Sequence, residues 1–305
     1  NTYVMKLFSP EKLYKHFIRD NYDIIVSYLE GPTARIVSGC TNPNTKLVSW
    51  IHIEQHTKEL ASKSFRSYKE ALDCYSKFDR TVCVSDTVKD DFESIFDTKK
   101  PVEVLYNTNE SEKIKKLSDE KVDDVNFSKD IINIISVAKI VPSKGYDRLM
   151  KIHKKLIEKN IKNHIYILGI GEEKEKYEKY LAENNLTDTF TFLGYRDNPY
   201  KYVKKADLYV CSSRREGFST AVTEALIVGT PVVSTNCSGA YELLGKNNEY
   251  GIVTENNEDA LYEGIKKILT TPDLLEAYAA KAKERGKAFS TEKTVKAVEE
   301  MLSAL

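Results

Sequence analysis

The stretch ADLYVCSSRREGFSTAVTEALIVGTPVV, residues 206–233, decides the fold of this chain. It begins with an apolar run, 206–211, that is typical of a buried strand. A helical pattern follows at 221–228 and ends at the Gly-Thr-Pro sequence of 229–231. A turn of small residues behind a carboxylate, 216–220, joins the strand to the helix. The stretch therefore predicts a strand–turn–helix unit of an α/β sheet.

The turn before this helix is suited to an anion. The free N–H groups and the positive dipole end at the start of a helix can hold a phosphate. Glu216 precedes the helix, and Glu224 lies about one turn inside it if the helix begins near Ser219. The segment thus combines an anion cradle with two carboxylates that can accept hydrogen bonds from sugar hydroxyls.

The composition narrows the class of protein. The 305 residues suggest about two domains, and Lys+Arg equals Asp+Glu at 46 each, which gives no support for a nucleic-acid partner. The 5 cysteines lack CxxC or metal spacing, so we expect buried free thiols. We find no apolar run of the ~18 residues that a membrane span needs and no signal peptide, and the chain starts at Asn1. Because free thiols fit a reducing compartment, we expect a cytoplasmic protein.

Apolar runs alternate with helical patterns in two series. The expected strands of the first series are 23–29, 47–52, 80–85 and 102–106. Residues 107–130 are polar and predict a linker with a short helix near 114–117. The expected strands of the second series are 131–138, 165–168, 190–193, 208–211 and 232–235. This rhythm predicts an α/β fold of two lobes, each built on a parallel sheet, with a cleft between them.

Four loops of the second series carry residues suited to a ligand. Lys139 and Lys144 follow its first strand, where they could neutralise the charge on a diphosphate leaving group, although two surface lysines beside a loop are the alternative. The loops at 169–172, 194–197 and 235–242 could each be a plain connection when taken singly. Because all four loops share one sheet edge, their convergence favours a ligand site.

His52 follows an apolar strand of the first series, so we expect it at the carboxyl end of that strand. It could bind or polarise a sugar hydroxyl, and a structural histidine is the alternative. The sequence contains no D-x-D pair, the motif that binds a diphosphate through a metal ion. It also lacks GxSxG and GxxxxGK[ST], which disfavours a hydrolase and a P-loop protein. We expect no metal site, so charge neutralisation falls to lysines and helix N-termini.

These motifs as a set resemble glycosyltransferase family 4. The resemblance is carried by Lys139 with Lys144-Gly145, by 169–172, by 192–195, and by the E-x7-E of Glu216 and Glu224 with the sequence through 233. It covers 131–305 closely and the first lobe loosely, through 22–25, 84–85 and 105–107.

The resemblance implies the GT-B fold, in which two Rossmann-like lobes with parallel sheets face a cleft. We expect an acceptor-side lobe at 1–125, a nucleotide-sugar lobe at 126–290, and a terminal helix at 291–305 that crosses back to the first lobe. The implied reaction is transfer of a hexose from a nucleotide diphosphate sugar with retention of configuration. The resemblance implies neither a catalytic metal nor another cofactor.

The resemblance also implies roles for individual residues. Glu224 would bind the donor ribose and Glu216 the hexose, while Lys144 would neutralise the diphosphate with Lys139 beside it. His52 would meet the hexose from the opposite lobe, so the expected catalytic residues are Glu216, His52 and Lys144. The remaining donor-binding residues would be Gly217, Phe218, Ser219 and Thr220 at the helix start, and Gly194, Tyr195 and Arg196 beside the base.

Two departures from the family pattern affect these expectations. Many members carry Arg at the position of Lys139, and lysine lacks the planar fork that grips phosphate oxygens. The first lobe also lacks the opening strand and glycine-rich loop of the family. We therefore expect an N-terminally shortened, incomplete first lobe with an open sheet edge.

The sequence therefore predicts a retaining, metal-independent hexosyltransferase, with a UDP-sugar favoured and a glycan or lipid-linked acceptor, acting in bacterial surface polysaccharide biosynthesis. The alternatives are a non-catalytic nucleotide-sugar-binding subunit of a transferase complex, or a nucleotide-sugar epimerase of the same fold. Residues 6–19 mix basic and aromatic side chains, and 58–69 adds basic ones. They predict peripheral contact with the inner face of the cell membrane, with an ordinary amphipathic helix as the alternative.

Overall fold

The computed structural model describes residues 2–305, which form two compact units. The first extends to Asn107 and includes 296–305, and the second is 108–295. Each unit is built on one parallel β-sheet with helices in the connections. None of the helices in the described chain is long and apolar enough to cross a membrane.

The first unit contains a four-stranded parallel sheet. Its strands are β1 (Ile24–Ser27), β2 (Lys46–Ile51), β3 (Arg80–Cys83) and β4 (Val102–Val104), in the order β1-β2-β3-β4. The helices before and between them are α1 (Thr2–Met5), α2 (Pro10–Phe17), α3 (Pro32–Val37), α4 (Lys58–Ala61), α5 (Tyr68–Tyr75) and α6 (Asp86–Ile95). The sequence missed α3, which is only 6 residues long.

A buried arginine fastens the N-terminal segment to this unit. Arg35 of α3 is 0% exposed and pairs with Glu70 of α5, with Nη2 3.0 Å from Oε1. The same guanidinium donates to the carbonyls of Met5 and Phe8 at 2.8 and 2.7 Å. Because a buried cation is tolerated only when it is paired and hydrogen-bonded, these contacts fix residues 5–8 in place.

β1 is an edge strand of the first unit's sheet. Val26 and Tyr28 are 38% and 57% exposed on it and beyond its end. An exposed apolar edge is a template for pairing with another chain. That further strands once belonged beside β1 stays a prediction.

The second unit contains a six-stranded parallel sheet. Its strands are β5 (Ile132–Val137), β6 (Asn163–Leu168), β7 (Phe190–Gly194), β8 (Leu208–Cys211), β9 (Val232–Thr235) and β10 (Ile252–Thr254). The order is β10-β9-β8-β5-β6-β7, so the chain reverses its winding between β5 and β8. Ligands of doubly wound sheets bind at the carboxyl ends of the strands beside such a reversal.

The central strands of this sheet are buried throughout. Both faces of the sheet are therefore covered by helices of the second unit. They are α7 (Ser111–Ser118), α8 (Tyr146–Glu158), α9 (Lys174–Glu183), α10 (Tyr200–Lys205), α11 (Thr220–Val228), α12 (Ala240–Leu244), α13 (Glu258–Thr270), α14 (Leu274–Gly286) and α15 (Thr291–Ser303), the last of which continues into the first unit. Short 3₁₀ turns lie at Pro142–Lys144 and Lys287–Phe289. All five strands predicted for this part are present, whereas β10, α10 and α12 were missed.

The observed units divide after Asn107 and after Val295, whereas the sequence placed the boundaries at 125/126 and 290/291. The first break falls earlier because α7 packs on α10 and α11 of the second unit. Asn198 donates to the carbonyl of Leu117 at 2.8 Å, which ties the end of α7 to the loop before α10. Residues 108–125 are thus part of the second unit.

Candidate functional site

Two neighbouring cavities lie at the carboxyl edge of the second sheet, beside its reversal. The anion cavity, of about 280 Å³, is lined by Lys139, Lys144, Glu216 and residues 218–221. The aromatic cavity, of about 450 Å³, is lined by 168–170 and by residues between Tyr195 and Tyr200. Residues 137–139 belong to the walls of both. The two cavities are therefore adjacent and share a wall.

The start of α11 forms one wall of the anion cavity. Ser219 is the N-cap, and its Oγ accepts a hydrogen bond from the N–H of Val222 at 3.4 Å. Thr220 and Ala221 follow it in the cavity wall. The unsatisfied N–H groups and positive dipole of a helix start make such a wall suited to a phosphate.

Lys144 and Glu216 form an ion pair in this cavity. Lys144 Nζ lies 2.6 Å from Glu216 Oε1, and their side chains are 24% and 15% exposed. Ser213 Oγ donates to the same carboxylate oxygen at 2.5 Å. An anion that enters the cavity would therefore meet a lysine already held by a carboxylate, and would have to compete with Glu216 for it.

Gly145 allows the loops after β5 and β8 to come together. Its φ is +68°, and a Cβ there would lie 2.1 Å from the carbonyl oxygen of Ser212. Only glycine has both the backbone freedom and the space that this position requires. Gly169 has the same function for the loop after β6, because a Cβ there would lie 1.9 Å from the carbonyl oxygen of Ala138. The Gly-x-Gly sequence thus packs one loop of the site on another.

Glu224 lies in the second turn of α11, as the sequence predicted. Burial raises the pKa of Glu224 to about 7, against a smaller opposite effect of its hydrogen bond with Tyr200. Tyr200 Oη lies 3.4 Å from Glu224 Oε1 and lines the aromatic cavity. Glu224 is therefore adjacent to the aromatic cavity, while Glu216 belongs to the anion cavity.

The loop after β7 supplies the outer part of the aromatic cavity. Tyr195 is 67% exposed, and Arg196 Nη2 lies 3.3 Å from Asp124 Oδ2. Asp124 also accepts a hydrogen bond from Tyr202 Oη at 2.8 Å. Asp124 thus orients Arg196. The sequence had placed Asp124 in the expected linker, 107–130.

The loop after β9 packs against Phe218, which lines the anion cavity. A Cβ at Gly239, whose φ is +76°, would lie 2.7 Å from the ring of Phe218. Phe218 also packs on Phe289, with ring centroids 6.0 Å apart. Residues 235–242 were expected to approach a ligand, but in the described chain they line neither cavity. Gly239 instead packs closely against the Phe218 ring.

His52 follows β2 in the first unit, at the carboxyl end of that strand as predicted. Its backbone N–H donates to Glu30 Oε2 at 3.0 Å, and its ring lies 4.9 Å from that of Tyr28. Burial lowers the pKa of His52, partly offset by the charge of Glu30. Because the ordinary pKa of histidine is already below 7, the ring is neutral at pH 7.

The second unit brings most of the predicted residues together. Lys139, Lys144, Phe218, Ser219 and Thr220 line the anion cavity with Glu216, and Tyr195 and Arg196 line the aromatic cavity. Gly217 adjoins them in the chain, and Gly194 ends β7 with φ +73°. Among residues 2–305, no group of three or more His, Cys, Asp or Glu side chains is placed to hold a metal ion.

Three residues that contact or support the site were not predicted from the sequence: Ser213, Tyr200 and Arg148. Ser213 and Tyr200 hold the two glutamates, and Arg148 binds the backbone of 212–213. The contacts of Tyr200 and Arg148 join residues 24 and 64–65 apart in the chain, so no local pattern marks them. Ser213 is only 3 residues from Glu216 and lies just beyond a predicted strand of the site, which was the one available signal.

The unit that holds both cavities matches a known protein family. The family model described as Glycosyl transferases group 1 matches 118–285. A Campylobacter jejuni protein named N-acetylgalactosamine-N,N'-diacetylbacillosaminyl-diphospho-undecaprenol 4-alpha-N-acetylgalactosaminyltransferase is 30% identical over 275 residues, which cover 89% of this chain and 70% of that protein. A Staphylococcus aureus poly(ribitol-phosphate) alpha-N-acetylglucosaminyltransferase is 25% identical over 93% of this chain and 55% of that protein.

A solved structure has the same architecture. The crystal structure of Anabaena HepE in complex with UDP superposes with a TM-score of 0.77 and 16% identity, covering 97% of this chain and 81% of that chain. Likeness at this identity shows the fold alone. The predicted GT-B architecture, with two Rossmann-like parallel sheets, is confirmed.

Proposed function

Because the chain belongs to the group 1 glycosyl transferases, we propose that it transfers a hexose from a nucleotide diphosphate sugar to a hydroxyl of a glycan or lipid-linked acceptor. One observation carries this proposal. Lys144, Glu216 and the start of α11 line one cavity, which shares a wall with a second cavity bordered by Tyr195 and Tyr200. A nucleotide diphosphate sugar contains, in order, a sugar, two phosphates, a ribose and a planar base. The charged cavity suits its sugar and phosphates, and the aromatic cavity suits its base.

The donor would extend across both cavities. Its diphosphate would lie against the start of α11, with Lys144 and Lys139 supplying positive charge. Its hexose would lie beside Glu216 and its ribose beside Glu224. The base would enter the aromatic cavity near Tyr195 and Arg196. Support comes from the placement of these side chains around two adjacent cavities.

The chemistry would be a front-face displacement. The acceptor oxygen forms a bond to the anomeric carbon as the bond from that carbon to the β-phosphate oxygen breaks. The electron pair leaves with the diphosphate, and the acceptor's hydroxyl proton passes to a β-phosphate oxygen. Lys144, once it turns from Glu216 to phosphate, and the start of α11 stabilise the charge that develops on the leaving group.

Retention of configuration follows from this geometry, because the acceptor attacks on the face that the diphosphate leaves. The names of the Campylobacter and Staphylococcus relatives specify alpha-linked products. A retaining enzyme gives such a product from an alpha-linked donor. We propose that this chain does the same without a catalytic metal, since lysines and a helix start already face the place of the diphosphate.

The acceptor and donor classes are proposed from the relatives. Their names refer to a diphospho-undecaprenol-linked glycan and to poly(ribitol-phosphate). We propose an acceptor of this kind for the present chain. Both names also specify N-acetylhexosamine transfer, so UDP-N-acetylhexosamines are the first donors to test.

We propose further that the α1–α2 surface contacts a membrane on its cytoplasmic face. Leu7, Phe8 and Phe17 are 78%, 46% and 57% exposed on this surface. Lys12 and Lys15 are exposed on the same α2 helix. Apolar side chains among lysines match the interface of a bilayer that contains anionic lipids. A lipid-linked acceptor would be reached from such a position.

Donor hydrolysis tests the proposed reaction without knowledge of the acceptor. UDP-, GDP- and ADP-sugars are incubated with the protein, and ¹H NMR follows the anomeric proton of the released hexose at early times. We expect slow release from a UDP-sugar with the configuration of the donor. An inverted product would overturn retention, and conversion of the donor to another nucleotide sugar would identify an epimerase.

A further inference from the structure

Arg148, in the first turn of α8, is a buried cation that the proposed chemistry does not use. It is 5% exposed. Its Nε and Nη2 donate to the carbonyl of Ser212 at 2.8 and 2.5 Å, and Nη2 donates to the carbonyl of Ser213 at 2.6 Å. Nη2 also lies 2.8 Å from Asn256 Oδ1. These acceptors are neutral, although a buried charge is costly when no carboxylate binds it.

Asn256 extends this network to two further loops. Its Nδ2 donates to the carbonyls of Arg214 and Asn236 at 3.0 and 3.2 Å. Thr235 Oγ1 donates to the Ser213 carbonyl, which Arg148 also binds, at 2.6 Å. The loops after β8, β9 and β10 are therefore all joined to the start of α8. A hydrogen-bond network of this kind fixes the relative positions of its members.

The two serines whose carbonyls Arg148 binds also hold the ion pair of the anion cavity. Ser212 Oγ donates to the carbonyl of Lys144 at 2.8 Å. Ser213 Oγ donates to Glu216 Oε1 at 2.5 Å. Arg148 lines neither cavity, so it reaches Lys144 and Glu216 only through these two residues.

We propose that Arg148, together with Asn256, is a positioning residue that sets the geometry of Lys144 and Glu216 and thereby the affinity for the donor's diphosphate. This role rests on the proposed function. The aromatic cavity is lined by 137–139, 168–170, 195–197, Pro199 and Tyr200, which make none of the hydrogen bonds described for Arg148. Loss of Arg148 therefore weakens diphosphate binding and leaves nucleoside binding unchanged, a split that general destabilisation would not produce.

Calorimetry on matched variants tests this role. UDP, GDP and ADP are titrated into the wild type, and the nucleotide that binds most tightly is then titrated into Arg148→Gln. Binding of the corresponding nucleoside to both proteins is followed by saturation-transfer NMR. We expect the Kd of the nucleoside diphosphate to rise about tenfold, because loss of one hydrogen bond to a charged group is worth about that factor, and the Kd of the nucleoside to stay within about twofold. Arg148→Lys should lie between, since one ammonium cannot bind both carbonyls as a fork does.

Asn133→Ala is the matched control for a lost buried hydrogen-bond network. Asn133 is 4% exposed and donates to the carbonyls of Ser128 and Ile131 at the amino end of β5, away from the cavities. It should lower Tm and leave the Kd of the diphosphate unchanged. In a Lys144→Ala background, Arg148→Gln should add little to the loss of affinity, because both changes act on the same contact.

The outcomes separate the two proposals. A wild type that binds none of the three diphosphates overturns the proposed function, and the role of Arg148 with it. A wild type that binds one, beside an Arg148→Gln variant with unchanged affinity, overturns the role of Arg148 alone. Equal losses of diphosphate and nucleoside affinity, or full additivity with Lys144→Ala, would also contradict it.

Discussion

At the scale of single residues, Glu224 is the carboxyl most perturbed by its surroundings. Burial holds its pKa at about 7, well above the 4.5 of an exposed glutamate. The folded chain therefore prefers the protonated form more than the unfolded chain does. The contribution of Glu224 to stability consequently falls as pH rises from about 4.5 to about 7, and does not change above that range.

Glu224→Gln removes this titration. We expect the Tm of Glu224→Gln minus that of the wild type to increase between pH 5 and pH 8, because only the wild type has to bury a charge at pH 8. Scanning calorimetry in buffers of equal ionic strength measures the difference. A difference that is the same at both pH values would show that the carboxyl is not perturbed in this way.

The same residue predicts a pH dependence of donor binding. A ribose hydroxyl donates best to an ionised carboxylate, so the Kd of UDP for the wild type should fall as pH rises through about 7. Glu224→Gln should bind UDP more weakly at pH 8 and lack this dependence. Isothermal calorimetry at pH 6 and pH 8 checks both. Parallel pH profiles for the two proteins would remove Glu224 from the ribose.

At the scale of elements, the packing of one loop on another depends on a residue without a side chain. In Gly145→Ala the alanine would have to adopt a φ of +68°, and its Cβ would lie 2.1 Å from the Ser212 carbonyl oxygen. Gly194→Ala is the matched control, since φ is +73° there and the nearest atom lies 4.0 Å away. The control should lose about 1 kcal/mol of unfolding free energy from backbone strain. Gly145→Ala should lose clearly more, measured by urea unfolding, and equal losses would contradict the account.

The attachment of α1 and α2 depends on Arg35. Arg35→Ala leaves Glu70 without its buried partner and the carbonyls of Met5 and Phe8 without a donor, which should cost about 3 kcal/mol or more. Arg80→Ala is the control, because its pair with Glu103 is 23% and 32% exposed and should be worth under about 1 kcal/mol. Urea unfolding compares the two. Equal losses would mean that Arg35 does not fasten this segment.

The elements that the sequence predicted and those it missed differ for a physical reason. Strands such as β5 and β8 are buried on both faces, so their apolar runs are continuous and easy to recognise. β10 has 3 residues and α12 has 5, too few to show a period. The contact between Arg148 and Ser212 joins residues 64 apart and leaves no trace in local sequence. Glu216 and Glu224 could be singled out because a helix start and its period place them.

At the scale of the whole molecule, the proposed membrane contact has a direct test. The protein should sediment with vesicles that contain phosphatidylglycerol at low salt, and less with neutral phosphatidylcholine vesicles. Leu7→Asp places a charge on the most exposed apolar residue of the α1–α2 surface and should reduce the bound fraction. Val295→Asp, at a residue 39% exposed outside that surface, should leave it unchanged. Equal binding by all three proteins would contradict the proposed surface.

The two parallel sheets and the donor-side loops could be predicted from sequence, because a parallel sheet places consecutive strand ends at one edge. The division into units was harder to predict, because a polar segment, 108–125, packs through α7 on α10 and α11. Family 4 membership and a shortened first lobe stay predictions. The matched family model covers 118–285, which is mainly the unit that holds the two cavities.

The central claim is that the anion cavity holds the diphosphate of a nucleotide sugar, and calorimetric titration of UDP into Lys144→Ala tests it most directly. Lys116→Ala, an exposed lysine on α7 of the same unit, is the matched control. Loss of one charge-assisted contact should raise the Kd of UDP by about 10- to 100-fold in Lys144→Ala, while the control stays within about twofold of the wild type. A Lys144→Ala variant that binds UDP as tightly as the wild type would contradict the account.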